Sequence, residues 1–412
     1  MSFSKNIFVR GIYFWVICTA MFFVARMARG GAIDIPMQDS KAAGEADAFT
    51  AQADDPAAIF YNPAGITQLQ GTNVSVGAYV LIPRFKFEGT SGQDETMNLP
   101  ALLPHIYAET DLGLANWRFG IGVNNVDGIN EDWGTNRPLS ALVDSAQLSI
   151  INVAPTAAYQ INQNLSVGAS LNVYYGSILL DRSVTLAPSP APVGNFHYRG
   201  DNFAVGATPG ILWKINNQNS IGAYYRTSFS LNFRGNAAIT DPGVANVGPS
   251  SADANLNLPQ SIGIGYANKM IDNVTIEGDV IWTDWHSVKQ LLFTSGDPTF
   301  NDQSLPASWK SGFTFRLGGQ YQIVPHVNLR AGYAYGQNSV PTSTFSPLVP
   351  DSNYHLAAAG VGYDTDHWGL DVAYQFIYRE TRHISGNVYS PIADGTWHNE
   401  FNGVMATLSL KI

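Results

Sequence analysis

Ile221-Gly-Ala-Tyr-Tyr-Arg-Thr-Ser-Phe-Ser-Leu-Asn-Phe-Arg234 alternates with a period of two. Successive side chains of a strand point to opposite faces. Ile221, Ala223, Tyr225, Thr227, Phe229, Leu231 and Phe233 therefore share one face, and Gly222, Tyr224, Arg226, Ser228, Ser230, Asn232 and Arg234 the other. The same pattern runs through Leu165–Tyr175, Phe313–Gly318 and Trp368–Arg379. An apolar face backed by a polar one suits a membrane barrel, with lipid outside and a polar interior. A soluble sandwich alternates too, but buries its apolar face and carries more charge on the other.

Composition points the same way. Charged residues make up 13% of the 412-residue chain, against ~25% in soluble domains. Aromatics reach 12% and mean hydropathy is near zero, too polar overall for a bundle of membrane helices. A net charge of −10 with no Lys/Arg-rich run argues against a nucleic-acid partner.

Lys5 and Arg10 precede an apolar run from Ile12 to Ala25, the length of a signal-peptide core. Residues 1–30 read as a signal peptide, with the mature chain starting at Gly31. Cys18 is the only cysteine and lies inside that segment. The mature chain then offers no disulfide, no Cys-based zinc site and no Cys nucleophile. Beyond residue 30 no apolar stretch reaches the ~18 residues of a membrane helix. Export together with a membrane-like composition leaves the closed barrel, since only helices and closed barrels satisfy their backbone in lipid.

Fourteen candidate strands follow from the alternation, near 74–87, 103–112, 117–126, 147–160, 165–184, 197–215, 219–235, 256–269, 273–295, 311–323, 327–337, 353–365, 367–383 and 399–412. An even number returns both ends to the periplasmic side. Short links such as Asn162-Gln163-Asn164 read as periplasmic turns, and the Pro/Gly/Ser-rich links near 127–146, 186–196, 236–255 and 338–352 as extracellular loops. Residues 31–71 lack the alternation and read as a compact segment of short helices and turns. The expected organisation is a signal peptide at 1–30, that segment at 31–71 and an all-β, fourteen-stranded antiparallel transmembrane barrel at 72–412.

Asp54-Asp55-Pro56-Ala-Ala-Ile-Phe-Tyr-Asn62-Pro63-Ala64-Gly65 resembles the FadL family of outer-membrane transporters for long-chain fatty acids and other hydrophobic compounds. Leu258-Pro259-Gln-Ser-Ile-Gly-Ile-Gly-Tyr266, Trp282-Thr283-Asp284-Trp285, Leu305-Pro306-Ala-Ser-Trp309-Lys310 and Leu329-Arg330-Ala-Gly-Tyr-Ala-Tyr335 look like the family's later strands, in family order. The resemblance runs from about residue 33 to the C-terminus. It implies that residues 31–71 form a hatch plugging the barrel. It also implies passive uptake of a hydrophobic ligand, released sideways through a gap at the third strand. Gating then falls to Asn62, Pro63 and Ala64 on the hatch and to Asn124 and Gly128 on the third strand. The sequence departs from the family in the polar stretch before Gly128 and in ending on Ile412 rather than an aromatic residue.

Ile33, Ile35, Met37, Phe49, Ile59 and Phe60 either line a ligand pocket or form the segment's own small core. Inward parity gathers Arg226, Arg234, Glu277, Asp279, Arg316, Arg330, Asp371 and Arg379 in the lumen. They read as an ion-pair network holding the plug, with Arg316 the candidate to meet a ligand carboxylate. The eight His are scattered, and no nucleophile elbow or His-Glu-x-x-His helix occurs. The expectation is a monomeric, non-enzymatic outer-membrane channel needing no cofactor or metal, partnered by its hydrophobic ligand, outer-membrane lipid and the barrel-assembly machinery. A polar-solute porin is the alternative, and an outer-membrane hydrolase the next.

Overall fold

The computed structural model describes residues 32–412 apart from 91, 136, 185–193, 241–245 and 301–304, with side chains from Ile35 onward. The expected signal peptide lies outside the described residues. Among those residues, fourteen antiparallel strands close into a barrel. They are β1 (Thr72–Gly89), β2 (Ala101–Thr110), β3 (Trp117–Asp132), β4 (Ser145–Asn162), β5 (Leu165–Val184), β6 (Gly194–Asn216) and β7 (Asn219–Arg226, resumed as Phe229–Thr240). There follow β8 (Val247–Leu258, then Ser261–Asn268), β9 (Val274–Thr283, resumed as Gln290–Ser295), β10 (Gly312–Val324) and β11 (Val327–Gly336). β12 (Tyr354–Asp364), β13 (Trp368–Ile384) and β14 (Gly395–Lys411) complete the wall.

Each expected strand overlaps one of these. β14 pairs back onto β1 from Asn73↔Lys411 to Gly89↔Gly395. The Ile412 N–H donates to the Thr72 carbonyl at 2.8 Å and extends that seam. Closure removes the exposed edges that an open sheet would leave in lipid. At one end the turns are tight: the Asn162 side chain accepts from the N–H groups of Asn164 and Leu165 at 2.9 and 3.0 Å, an Asx turn.

Outward faces carry Leu171, Val205, Ile264, Leu317 and Leu370, all exposed. Several strands far exceed the ~9–11 residues that cross a bilayer; β6 has 23. The surplus rises at the long-loop end, where the environment outside the wall changes from lipid to water. β7 records the change. In its lower part Ile221, Ala223 and Tyr225 face outward, as the alternation predicts. The strand breaks at Thr227–Ser228, and above the break Leu231 and Phe233 point inward, fully buried. Arg234 is exposed on the outside, contrary to its expected place in the lumen. The pairing with β6 shifts by one residue across the break, from Gly210↔Tyr224 to Asp201↔Arg234, so the period of two persists while its faces exchange.

Residues 35–71 occupy the lumen. Two short helices, α1 (Ser40–Gly44) and α2 (Ala58–Tyr61), and a 3₁₀ turn (Pro63–Gln68) are joined by tight turns. Asp39 caps α1 by accepting from the Lys41 N–H. Asn62 caps the 3₁₀ turn, with Pro63 in its first turn, where a missing N–H costs nothing. Ala42, Ala43, Ala48, Ala53, Ala57 and Ala58 are completely buried; small side chains let the segment fold tightly within the wall. The wall answers with glycine. A Cβ on Gly222 would stand 2.0 Å from the Thr50 carbonyl oxygen, and one on Gly332 would stand 2.4 Å from the Glu45 carbonyl carbon. Backbone meets backbone there without side chains between.

Candidate ligand cavities and the edge of the third strand

The inward-facing charges hold this inner segment, chiefly through its backbone. Asp279 accepts from the N–H groups of Phe49 and Thr50 at 3.1 and 3.2 Å and from the Thr50 hydroxyl at 2.7 Å. Glu277 accepts from the N–H groups of Ala51 and Gln52 at 2.6 and 2.7 Å. Arg316 donates to the Asp47 carbonyl at 2.9 Å and Arg226 to that of Phe60 at 2.9 Å. Arg330 pairs with Asp371 across the wall, and its Nε stands 3.6 Å from Glu45 Oε1. These groups lie far apart in sequence, and β-strand parity alone aims them at one plug.

Glu45 is fully buried. Burial pushes its carboxyl from the ordinary 4.5 up to about 8, against the pull of Arg330 and Lys41. The folded state therefore holds a proton that the unfolded state releases between those two values. Its contribution to stability is full below pH 4.5 and is lost as pH rises through 8. Limited proteolysis of residues 39–69 should proceed faster at pH 8.5 than at pH 5, and Glu45→Gln should flatten that difference. An unchanged pH profile in Glu45→Gln counts against this assignment.

Above the plug lies a cavity holding about 1220 Å³ of empty space, counted out through its mouth. Ile35, Pro36 and Met37 form its floor, and Phe85, Trp285, Trp309, Leu356, Ile377 and Phe401 stand among its walls. A second cavity, about 710 Å³ on the same measure, lies beside it nearer the long loops. It is lined by such residues as Leu148, Leu180, Leu256 and Leu291, with no charged side chain among the described residues. The two share Ile129, Trp309, Val340, Leu348 and Val349, so they adjoin. A third, of about 640 Å³, adjoins the floor and shares Pro36, Thr283 and Trp285 with the first. Phe60, Tyr61, Tyr224, Arg226 and Arg316 line it, and it reaches β3 at Val126 and Asp127.

β3 is the irregular strand there. Its ladder to β2 runs from Thr110↔Phe119 to Ile106↔Val123 and stops. β2 continues to Ala101 paired with β1, while β3 continues to Asp132 paired with β4. On the β4 side the register slips between Asn125 and Asp127, which makes Val126 the bulge residue. A bulge bends its strand and ends regular pairing. The freed edge is met by a short strand, Ala32–Asp34, in the register Ala32↔Gly128 and Asp34↔Asp127. The Ile35 N–H donates to the Val126 carbonyl at 2.9 Å. Gln38 continues the contact, its amide donating to the Asn125 carbonyl at 2.6 Å and accepting from the Asn124 amide at 2.7 Å.

The expected site residues are thus divided. Ile35 and Met37 stand under the first cavity, and Phe60 and Arg316 line the third. Phe49 lines none of the three; it is fully buried, edge-on to Tyr61 at 5.5 Å, as part of the plug's own core. Ile33 falls in the short strand at the β3 edge, with its side chain outside the described residues. Asn62 donates to the Ile211 carbonyl on β6 at 3.0 Å, and Pro63 abuts Gly168 on β5, with Ala64 beside it. That trio docks on the wall beyond β3; the edge of β3 is met by residues 32–38 instead. Asn124 is at that edge, and so is Gly128, but the bend rests on the extra residue Val126. Gly128 is not among the glycines with left-handed backbone. Gln38, Val126 and the Trp285–Trp309 pair escaped the sequence reading, although both Trp residues sit in motifs it singled out.

Residues 21–408 match the family model described as "Outer membrane protein transport protein (OMPP1/FadL/TodX)". A long-chain fatty acid transport protein of Salmonella typhi is 22% identical over 377 residues, which span 83% of this chain and 86% of that protein. The crystal structure of a Pseudomonas aeruginosa FadL homologue superposes with a TM-score of 0.83 at 18% identity, covering 93% of this chain and all of the other. That of the P. putida toluene transporter TodX gives 0.71 at 18% identity, covering 93% and 98%. At such identities the superpositions speak for the fold, and the model match speaks for descent. The chain is an outer-membrane β-barrel that belongs to the outer membrane protein transport protein family (OMPP1/FadL/TodX).

Proposed function

We propose that this protein takes up hydrophobic small molecules, fatty acids or hydrocarbons, by facilitated diffusion, and passes them sideways at β3. The observation that carries the reading is the series of adjoining cavities that begins near the long loops and ends at the edge of β3 that β2 leaves and residues 32–38 cover. Each methylene moved from water into such apolar surroundings contributes ~0.8 kcal/mol, so entry needs no energy source. The floor residues Ile35, Pro36 and Met37 separate the first cavity from the third and belong to the segment paired with β3. A ligand resting on them bears on the gate itself. The porin alternative is disfavoured by a plug bonded to the wall on many sides. The test pairs two measurements: uptake of a labelled hydrophobic compound by cells, and ion conductance of the pure protein in planar bilayers. Uptake with little steady conductance is expected, and Met37→Asp, which places a charge on the cavity floor, should lower uptake severalfold. Large, permanently open conductance would overturn the reading.

A further inference from the structure

Resting on that uptake reading, we infer that the ligand is uncharged: a hydrocarbon, or a hydrophobic alcohol or ketone, rather than a carboxylate. Among the described residues, the first cavity has one cationic lining residue, Arg379. That guanidinium is spent. It pairs with Asp351, donates to the Ser352 carbonyl at 3.2 Å, and lies over the rings of Tyr354 and Phe401 at 5.6 and 5.5 Å. Its work is to fix the inward-folded loop between β11 and β12, which Arg382 also holds by donating to the Val340 and Asp351 carbonyls at 2.8 Å each.

The other ionisable lining groups, Asp351 and Glu131, are carboxyls and offer a ligand carboxylate no positive charge. Among the described residues the second cavity contributes no charge. A carboxylate entering by this route would shed its water among apolar walls and meet only the Glu131 carboxyl and an arginine already paired with Asp351. Burying an ion without a matching partner is costly. A neutral molecule loses nothing of the kind. Deeper down, Arg226 and Arg316 bond the carbonyls of Phe60 and Asp47, and Arg226 stacks on the Phe60 ring at 4.2 Å. They brace the plug, and Asp127 shares the lining of their cavity.

Matched probes of one carbon skeleton test this. The full protein in lipid nanodiscs, free of alkyl detergent, is titrated with 1-dodecanol and with dodecanoate at pH 8, reading the fluorescence of Trp285 and Trp309 in the cavity wall. The alcohol is expected to bind at least ten times more tightly. Asp351→Asn, which deprives Arg379 of its carboxylate partner, should narrow that ratio by improving dodecanoate alone, while Trp309→Phe should weaken the signal for both probes and so locate it. Equal or tighter binding of dodecanoate overturns the neutral-ligand inference and leaves the uptake reading standing. Binding of neither probe overturns both.

Discussion

Oxidising a protein that carries Asp34→Cys and Asp127→Cys should lower uptake by about tenfold or more, since many transport and catalytic steps wait on the opening of a lid. Reducing agent should restore it. Asp34 and Asp127 are register partners where the short strand meets the edge of β3. Facing residues of antiparallel strands come within reach of a disulfide once the backbone adjusts locally. Cys18, the sole native cysteine, falls in the expected signal peptide and offers no competing thiol to the mature chain. The bond would staple residues 32–38 to β3, and with them the floor that divides the upper cavity from the lower. Folding and membrane insertion should be unaffected, because the staple holds the pairing already present. Undiminished uptake by the oxidised protein would show that ligand leaves without displacing this segment.

The second large effect is expected at the opposite side of the plug. Replacing Glu277 and Asp279 together by Ala removes the acceptors of four consecutive main-chain N–H groups, from Phe49 to Gln52, and of the Thr50 hydroxyl. Each buried donor left without a partner costs about 1–3 kcal/mol, so the anchorage of this turn weakens by several kcal/mol. The barrel itself rests on its strand ladders and should still assemble. Steady ion conductance in planar bilayers should then appear, together with rapid proteolysis of residues 39–69 from the periplasmic side. Glu277→Gln with Asp279→Asn keeps part of the acceptor set and should fall between the variant and the parent. A double-alanine protein as tight to ions as the parent would mean that the remaining anchors, such as the Asn62 and Arg226 bonds to opposing backbone, suffice alone.

The barrel wall follows from the sequence alone. A strand's alternation is a local property, carried by side chains two residues apart and imposed by lipid on one side and a polar interior on the other. Leu165–Tyr175 or Trp368–Arg379 could therefore be read without knowing any partner, and so could the number of strands. Residues 31–71 stand apart because they lack that period, the family resemblance implies that they plug the barrel, and inward parity aims Glu277, Asp279, Arg316 and Arg330 at the lumen. Tertiary structure decided the rest, for two physical reasons. First, which face points inward depends on register: at the Thr227–Ser228 break the pairing with β6 slips by one residue, so the same alternation puts Leu231 and Phe233 inside and Arg234 outside. Second, the candidate gate is a pairing between segments about ninety positions apart. Nothing in Asn124-Asn125-Val126-Asp127-Gly128 announces that its edge is abandoned by β2 and met by residues 32–38. Nor does composition tell Met37, on a cavity floor, from Phe49, sealed in the plug's core. Both are apolar residues in one short segment, and only the packing of that segment against the wall separates a surface that meets ligand from one that never does.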